Sequence, residues 1–306
     1  MPLQIIFMGT PDFSINTLKS LINDGHKILR VYTQSPKKKQ RGHKIIKTPV
    51  HFAAEEFKLD VKTSNNLNND EDYSFFKNTK IDLVVVVAYG NIIPEKFLKI
   101  PKLVFLNLHA SLLPKWRGAA PIERSILSHE KETGISIMKI VSKLDEGPYM
   151  MQIKLKIREN MSAGELRKNL SVIGAKAMSE SLKLISEDKA MFKEQDHLNS
   201  SYAKKIKKSE TQIDWNDKAK NINAKINAFN PKPGAWFFYK KERVKVFKAL
   251  EVKQNGNPGE ILDNELTIGT GLNAIKILEL QKEGKKILNS KEFLKGNKLF
   301  KGTKLF

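Results

Sequence analysis

Residues 103–109 combine an apolar run with two polar side chains that suit acyl transfer. Alternate side chains of a strand share one face, so we expect Asn107 and His109 to lie together, opposite Leu108. An asparagine amide is neutral and donates two hydrogen bonds, so it can stabilise a developing oxyanion. A histidine titrates near neutral pH and can move a proton. The pair therefore predicts a site where a nucleophile attacks a carbonyl group.

A histidine in such a site needs an orienting group, most often a carboxylate. Asp145 follows a predicted strand and precedes Gly147-Pro148, a loop position from which the chain can return to His109. From the residues alone, a strand-end asparagine that caps the next turn and a surface histidine remain an alternative. Trp116 and Arg117, in the loop after the strand, either clamp a ligand or pack.

The surrounding elements alternate between β-rich runs and amphipathic helices, which predicts an α/β domain with a mostly parallel sheet. Strands are predicted at 5–8, 27–33, 83–88, 103–109, 134–141 and 149–157, and helices at 12–23, 49–57, 119–128 and 163–186. Open sheets of this kind bind ligands beyond the carboxyl ends of their strands, where Asn107 and His109 are expected.

The composition changes near residue 190 and predicts a second domain. Residues 189–208 are polar and basic, as in a linker. A helix at 216–229 and short strands at 235–239, 244–250, 259–262, 266–268 and 274–280 follow, a pattern typical of a small β-barrel. We therefore predict a catalytic domain at 1–188, a linker at 189–208 and a barrel at 209–306.

The charge favours a polyanionic partner. The chain of 306 residues has 54 Lys and Arg against 33 Asp and Glu, a net charge of +21. Residues 207–306 hold 21 of these cations and 11 of the acids. A solvated, lysine-rich surface is the alternative.

Several classes of protein are disfavoured. The absence of cysteine excludes disulfides, zinc–thiolate sites and cysteine nucleophiles. No apolar run is long enough to span a bilayer and no signal peptide is evident, so we expect a cytoplasmic protein that needs no membrane. No cluster of histidines or carboxylates has metal-ligand spacing, so no metal is expected. No heptad pattern stands out, and a monomer is expected.

The chain resembles the methionyl-tRNA formyltransferase family from end to end. Residues 107–122, from Asn-Leu-His to Ala-Ala-Pro-Ile, match its central motif, residues 6–13 its first strand and turn, and residues 86–90 its fourth strand. In the C-terminal part, four segments follow in family order: Ile213-Asp214-Trp215, Ala228-Phe229-Asn230-Pro231, Pro233-Gly234-Ala235 and Gly284-Lys285-Lys286.

The resemblance implies a Rossmann-like formyltransferase domain and a C-terminal barrel similar to an OB-fold, which contacts tRNA. It implies formyl transfer from 10-formyltetrahydrofolate to the methionine amino group of initiator methionyl-tRNA. Asn107, His109 and Asp145 match the family's catalytic set. The folate site is matched by these residues: Ser111, Leu112, Leu113, Pro114, Tyr89 and Gly90. Lys143 and Glu146 stand where the family commonly has glycine and threonine.

A cationic loop at 35–44 lies where the family carries an insertion that reaches the acceptor end of the tRNA. The Arg41-Gly42 pair matches the family, and we expect Lys38, Lys39 and Arg41 to bind tRNA. From composition alone, a solvated lysine cluster is the alternative.

Three other functions compete. A folate-dependent formyltransferase acting on a sugar or purine-precursor amine would keep Asn107, His109 and Asp145 without needing a basic second domain. A nucleic-acid-binding module without activity is disfavoured by the same three residues. A dehydrogenase is disfavoured because Gly9 is not followed by the Gly-x-Gly-x-x-Gly spacing.

Overall fold

The computed structural model describes residues 1–38, 45–297 and 299–305. Strands in the first 186 residues are β1 (Gln4–Gly9), β2 (Lys27–Thr33), β3 (Lys37–Lys38), β4 (Ile45–Ile46), β5 (Val61–Thr63), β6 (Leu83–Val87), β7 (Val104–His109), β8 (Arg117–Gly118), β9 (Glu132–Lys139) and β10 (Tyr149–Lys156). Helices there are α1 (Ile15–Asn23), α2 (Pro49–Glu56), α3 (Asp70–Asn78), α4 (Glu95–Leu98), α5 (Pro121–Leu127) and α6 (Ala163–Ser186). None of the helices in the described ranges is long and apolar enough to cross a membrane.

The main sheet has the strand order β10-β9-β7-β6-β1-β2-β5. The five strands from β7 to β5 run parallel, and β9 pairs antiparallel with β7. Every residue of β6 is apolar and buried, as expected for a parallel strand covered on both faces. The predicted mostly parallel sheet is confirmed.

The two faces of β7 are covered by different helices. The ring of Phe105 stacks on Phe76 of α3, with their centroids 6.2 Å apart. A Cβ built on Gly174 of α6 would lie 2.6 Å from Cδ1 of Leu108, so Leu108 packs tightly on α6. Since side chains alternate along a strand, Asn107 and His109 belong to the same face of β7 as Phe105.

The C-terminal elements are β11 (Tyr202–Ala203), α7 (Ala219–Phe229), β12 (Ala235–Tyr239), β13 (Glu242–Val252), β14 (Thr267–Gly269), β15 (Ala274–Lys282), β16 (Leu288–Asn289) and α8 (Ser290–Lys295). They form a curled antiparallel sheet in the order β12-β13-β15-β14, with β16 on β15, which confirms the predicted small β-structure. The predicted strand at 259–262 is wrong, because Gly259 has a φ of +78° and only isolated bridges form at Glu260 and Ile261.

The chain divides into two compact units. One consists of Met1–Gly118, Thr133–Leu155 and Lys168–Tyr202, and the other of Ala119–Glu132, Lys156–Arg167 and Ala203–Phe306. The helix α5 belongs to the second unit, where it packs on α7. The predicted boundaries at 188 and 209 stay a prediction.

Candidate active site

His109, the last residue of β7, is buried and contacted on both sides of its ring. Its Nε2 lies 2.9 Å from the carbonyl oxygen of Trp116. Because a carbonyl oxygen only accepts, Nε2 carries the hydrogen in this contact. Nδ1 faces Asp145, at 3.7 Å from Oδ2. The imidazole is therefore held between the loop that follows β7 and the loop that carries Asp145.

Asp145 lies in a strained part of its loop. Its φ is +52°, in the left-handed region, which aspartate tolerates better than most residues. Its Oδ2 accepts a 2.8 Å hydrogen bond from the N–H of Gly118. Lys143 does not have a positive φ. The left-handed conformation in this loop belongs instead to the aspartate.

Asn107 lies half-buried on the same face of β7 as His109. Within the described ranges, no protein group is hydrogen-bonded to its side-chain amide. Both N–H groups of the amide are therefore available to a ligand, as oxyanion stabilisation requires.

Arg117 packs and does not clamp a ligand. Its side chain is 1% exposed, and Nε and Nη2 donate to Oε1 of Gln195 at 3.1 and 2.8 Å. Nη2 also lies 2.9 Å from Nδ1 of His197, and Nη1 lies 3.5 Å from Oε1 of Glu146. Glu146 thus supplies a countercharge to the buried guanidinium.

The segment 111–114 is fastened to the neighbouring strands. Ser136 of β9 donates to the carbonyl of Ser111 at 2.7 Å and accepts from the N–H of Leu113 at 3.0 Å. Gln152 of β10 donates to the carbonyl of Leu113 at 2.8 Å. The hydroxyl of Ser111 donates to the carbonyl of Lys115 at 2.6 Å, so it is already engaged within the loop.

Leu112 and Pro114 complete this segment, and both are half-buried. The Leu113–Pro114 peptide bond is cis. A Cβ on Gly134 would lie 2.6 Å from Cδ2 of Leu112, so β9 approaches this side chain closely.

Tyr89 and Gly90 follow β6, and the surroundings of Tyr89 limit what it can contribute to a ligand site. The ring of Tyr89 is buried in an apolar cluster with Phe76 and Phe97, and burial raises the pKa of its hydroxyl. The carbonyl of Tyr89 accepts from Thr10 at 2.7 Å. Gly90 has a φ of +80°, a conformation that favours glycine. A contribution of Tyr89 to a ligand site is therefore limited to its main chain.

The cationic loop is bracketed by β3 and β4, which pair antiparallel through Lys37–Ile46 and Lys38–Ile45. Lys39 and Arg41, both predicted to bind tRNA, lie outside the described residues. For Lys38 only the backbone is described. Across residues 1–38, 45–297 and 299–305, no group of three or more His, Cys, Asp or Glu is placed to hold a metal ion.

Sequence reasoning missed Gln195, Ser136 and Gln152. Gln195 falls in the stretch expected to be a linker, yet it is 4% exposed. None of the three belongs to a local pattern, because each acts on a segment distant along the chain. Only the structure, in which Arg117 is buried, shows that its guanidinium requires a partner.

Comparisons with known proteins place the chain in a family. The formyl transferase family model matches residues 3–182, and the model of the formyl transferase C-terminal domain matches residues 205–298. A methionyl-tRNA formyltransferase of Pelagibacter ubique is 48% identical over 307 residues, covering 100% of this chain and 99% of the relative. A methionyl-tRNA formyltransferase of Chelativorans sp. is 40% identical over 310 residues, covering 100% of both chains.

A solved structure shares the fold. HypX from Aquifex aeolicus in complex with tetrahydrofolic acid superimposes with a TM-score of 0.67 at 17% identity, over 96% of this chain and 47% of HypX. The full-length relatives and the two matched models establish that the chain belongs to the methionyl-tRNA formyltransferase family and is a formyl-transferring enzyme.

Proposed function

We propose that this enzyme transfers a formyl group from 10-formyltetrahydrofolate to the α-amino group of methionine on initiator tRNA, in the cytoplasm. The relatives that match over their whole length are named methionyl-tRNA formyltransferase, after the methionyl-tRNA acceptor. One observation carries the proposal. The amide of Asn107 has no hydrogen-bond partner in the described part of the protein, and it shares a face of β7 with His109.

The formyl donor is proposed to bind along 111–114 and the backbone of Tyr89 and Gly90. HypX, which has the same fold, holds tetrahydrofolic acid. Ser136 and Gln152 fix the main chain of Ser111 and Leu113, so the backbone beside Leu112 is rigid. A rigid, half-apolar edge with few polar groups suits a planar heterocycle such as that of folate.

The proposed reaction is a direct attack. The amine nitrogen bonds to the formyl carbon, the bond from that carbon to the donor nitrogen breaks, and the amine proton passes to the leaving nitrogen. Asn107 donates to the formyl oxygen as it gains negative charge. No covalent enzyme intermediate is needed, and the Ser111 hydroxyl is engaged with Lys115.

His109 can serve the transfer in two ways, by stabilising charge or by relaying the amine proton. Its Nε2 hydrogen is directed at Trp116, and Nδ1 faces Asp145. A role as base through Nε2 would require the Trp116 contact to break first. We therefore favour the stabilising role, in which Asp145 orients the ring and the ring contributes its polarity beside the oxyanion.

The tRNA is proposed to be held through its phosphates. The net charge of +21 supplies the long-range attraction, and residues 207–306 carry a large share of it. Lys38, Lys39 and Arg41 are proposed to contact the acceptor end.

The test is a formyl-transfer assay with 10-formyltetrahydrofolate and methionine-charged initiator tRNA, using His109→Ala as the comparison. Formyl-methionyl-tRNA made by the wild type and lost in the variant would support both the reaction and its site. Bound tRNA without product would favour a non-catalytic binding module. If neither product nor binding is found, small sugar or purine-precursor amines become the acceptors to test.

A further inference from the structure

One side chain, distant in sequence, holds the loop that carries Asp145. Nε2 of Gln195 donates to the carbonyl of Asp145 at 2.8 Å and to the carbonyl of Gly147 at 2.7 Å. Gln195 is almost completely buried, so water does not compete for these bonds. A single amide group thus spans the backbone on both sides of Glu146.

Arg117 fixes the orientation of that amide. An arginine has only donors, so Oε1 of Gln195 must be the atom that faces its Nε and Nη2. The two loop carbonyls only accept, so Nε2 must face them. The opposite orientation of the amide would lose all of these bonds, and Gln195 is therefore locked in one arrangement.

The loop needs such support. Asp145 has a φ of +52°, which is unfavourable for a residue with a side chain. Leu144 beside it is 65% exposed and gives the loop no apolar anchor. A Cβ on Gly147 would lie 1.9 Å from the carbonyl oxygen of Lys139, so the loop also passes very close to β9.

We propose that Gln195 is a positioning residue for formyl transfer, which keeps the Asp145 carboxylate on the Gly118 N–H and facing His109. The proposed effect on the reaction runs through the backbone of the Asp145 loop, and the contact of Gln195 with Arg117 sets the orientation of its amide. This role rests on the proposed function, because the part of Asp145 in the transfer belongs to that function.

Two substitutions separate the contacts of Gln195. Gln195→Ala removes all of them, whereas Gln195→Glu keeps an acceptor for Arg117 and cannot donate to the loop carbonyls. The matched controls are Gln254→Ala and Gln254→Glu, at an exposed glutamine. Where the alanine variant fails to fold, the glutamate variant carries the test.

The first readout is kinetic. We expect kcat to fall about tenfold or more in both Gln195 variants, because small displacements of positioned groups are costly, while KM for both substrates stays within about twofold. In an Asp145→Ala background, the same changes should add little, because the residue through which Gln195 acts is already gone. Equal fold-losses in both backgrounds would overturn the proposal.

The second readout needs no substrate. In ¹⁵N-glycine-labelled protein, the Gly118 amide should exchange with solvent faster in the Gln195 variants than in the wild type or the Gln254 controls. An unchanged Gly118 amide in a folded Gln195 variant would overturn the proposal whatever the activity. If the wild type makes no formyl-methionyl-tRNA, the proposed function fails, and the Gly118 amide still decides whether Gln195 holds Asp145.

Discussion

The backbone N–H of Gly118 donates a 2.8 Å hydrogen bond to Oδ2 of Asp145, the same oxygen that faces His109. Two residues earlier, the carbonyl of Trp116 contacts the other nitrogen of the imidazole. The short segment 116–118 therefore fixes both the ring and the carboxylate. The relative position of the ring and the carboxylate is therefore set by the main chain.

The Asp145→Asn substitution removes the negative charge of this side chain but keeps its shape. Asparagine also tolerates a positive φ, and its side-chain oxygen can still accept from Gly118, so the fold should be kept. Loss of the negative charge beside His109 should lower kcat by about a hundredfold. Steady-state formyl transfer and a thermal melt measure the two effects. Asp188→Asn is the matched control, since Asp188 is exposed and has a similar φ of +54°. Equal turnover in the two variants would contradict a role for the Asp145 charge.

Asn107→Ala tests the oxyanion contact. The Asn107 amide has no hydrogen-bond partner among the described residues, so its removal leaves no protein group unpaired and should affect stability little. Turnover should fall on the order of a hundredfold, as for other oxyanion donors. The measurement is kcat, with the exposed Asn255→Ala as control. Near-normal turnover in a folded Asn107→Ala protein would remove Asn107 from the mechanism.

The sequence predicted those features that depend on short-range periodicity. The period of two along β7 places Asn107 and His109 on one face, and the structure has the strand at Val104–His109 that this placement requires. The strand β5 was missed because Val61–Thr63 is only three residues long. The helix α3 was also missed, although its first turn is acidic and the Asn69 side chain caps it by accepting from the N–H of Asp72, both of which favour the start of a helix.

The rest of the candidate site depends on contacts between distant segments. The Asp145–Gly118 bond links residues 27 positions apart, and the Arg117–Gln195 bonds link residues 78 apart. No local pattern of hydropathy or charge reports such pairs.

Gly147→Ala should damage both the fold and the site. The new Cβ would lie 1.9 Å from the carbonyl oxygen of Lys139, a backbone atom that can yield only if the strand or the loop moves. We expect a loss of about 2 kcal/mol in the free energy of unfolding, measured by urea denaturation, together with a fall in kcat. Gly296→Ala is the control, since a Cβ there meets no atom within 4 Å. Equal stability of the two variants would show that the Asp145 loop relaxes freely.

A reciprocal cap at the start of α6 should make stability depend on pH. The N–H and the hydroxyl of Ser162 donate to Glu165 at 2.9 and 2.7 Å, and the Glu165 N–H donates back at 3.2 Å. The backbone bond from Ser162 lowers the pKa of Glu165 below its usual 4.5. The contribution of this cap to the free energy of unfolding is therefore complete above pH 4.5 and is lost as the pH falls through the lowered pKa of Glu165.

Ser162→Ala should reduce the free energy of unfolding by about 1 kcal/mol at pH 7 and by less at pH 3. Urea denaturation at the two pH values, with the exposed Ser209→Ala as control, measures the difference. An equal loss at both would contradict the coupling.

Binding of initiator tRNA should weaken steeply with salt. A chain with a net charge of +21 that contacts phosphates releases counterions when it binds, so the affinity falls as a power of the salt concentration. Between 50 and 200 mM salt, we expect the affinity for tRNA to fall roughly a thousandfold, measured by filter binding.

Arg41→Ala should lower the slope of log affinity against log salt by about one, because one phosphate contact is removed. Folate binding in the same salt series is the control and should change far less. An affinity for tRNA that does not change with salt would mean that the positive charge of this chain does not bind the tRNA. That result would support the alternative in which the acceptor is a small amine.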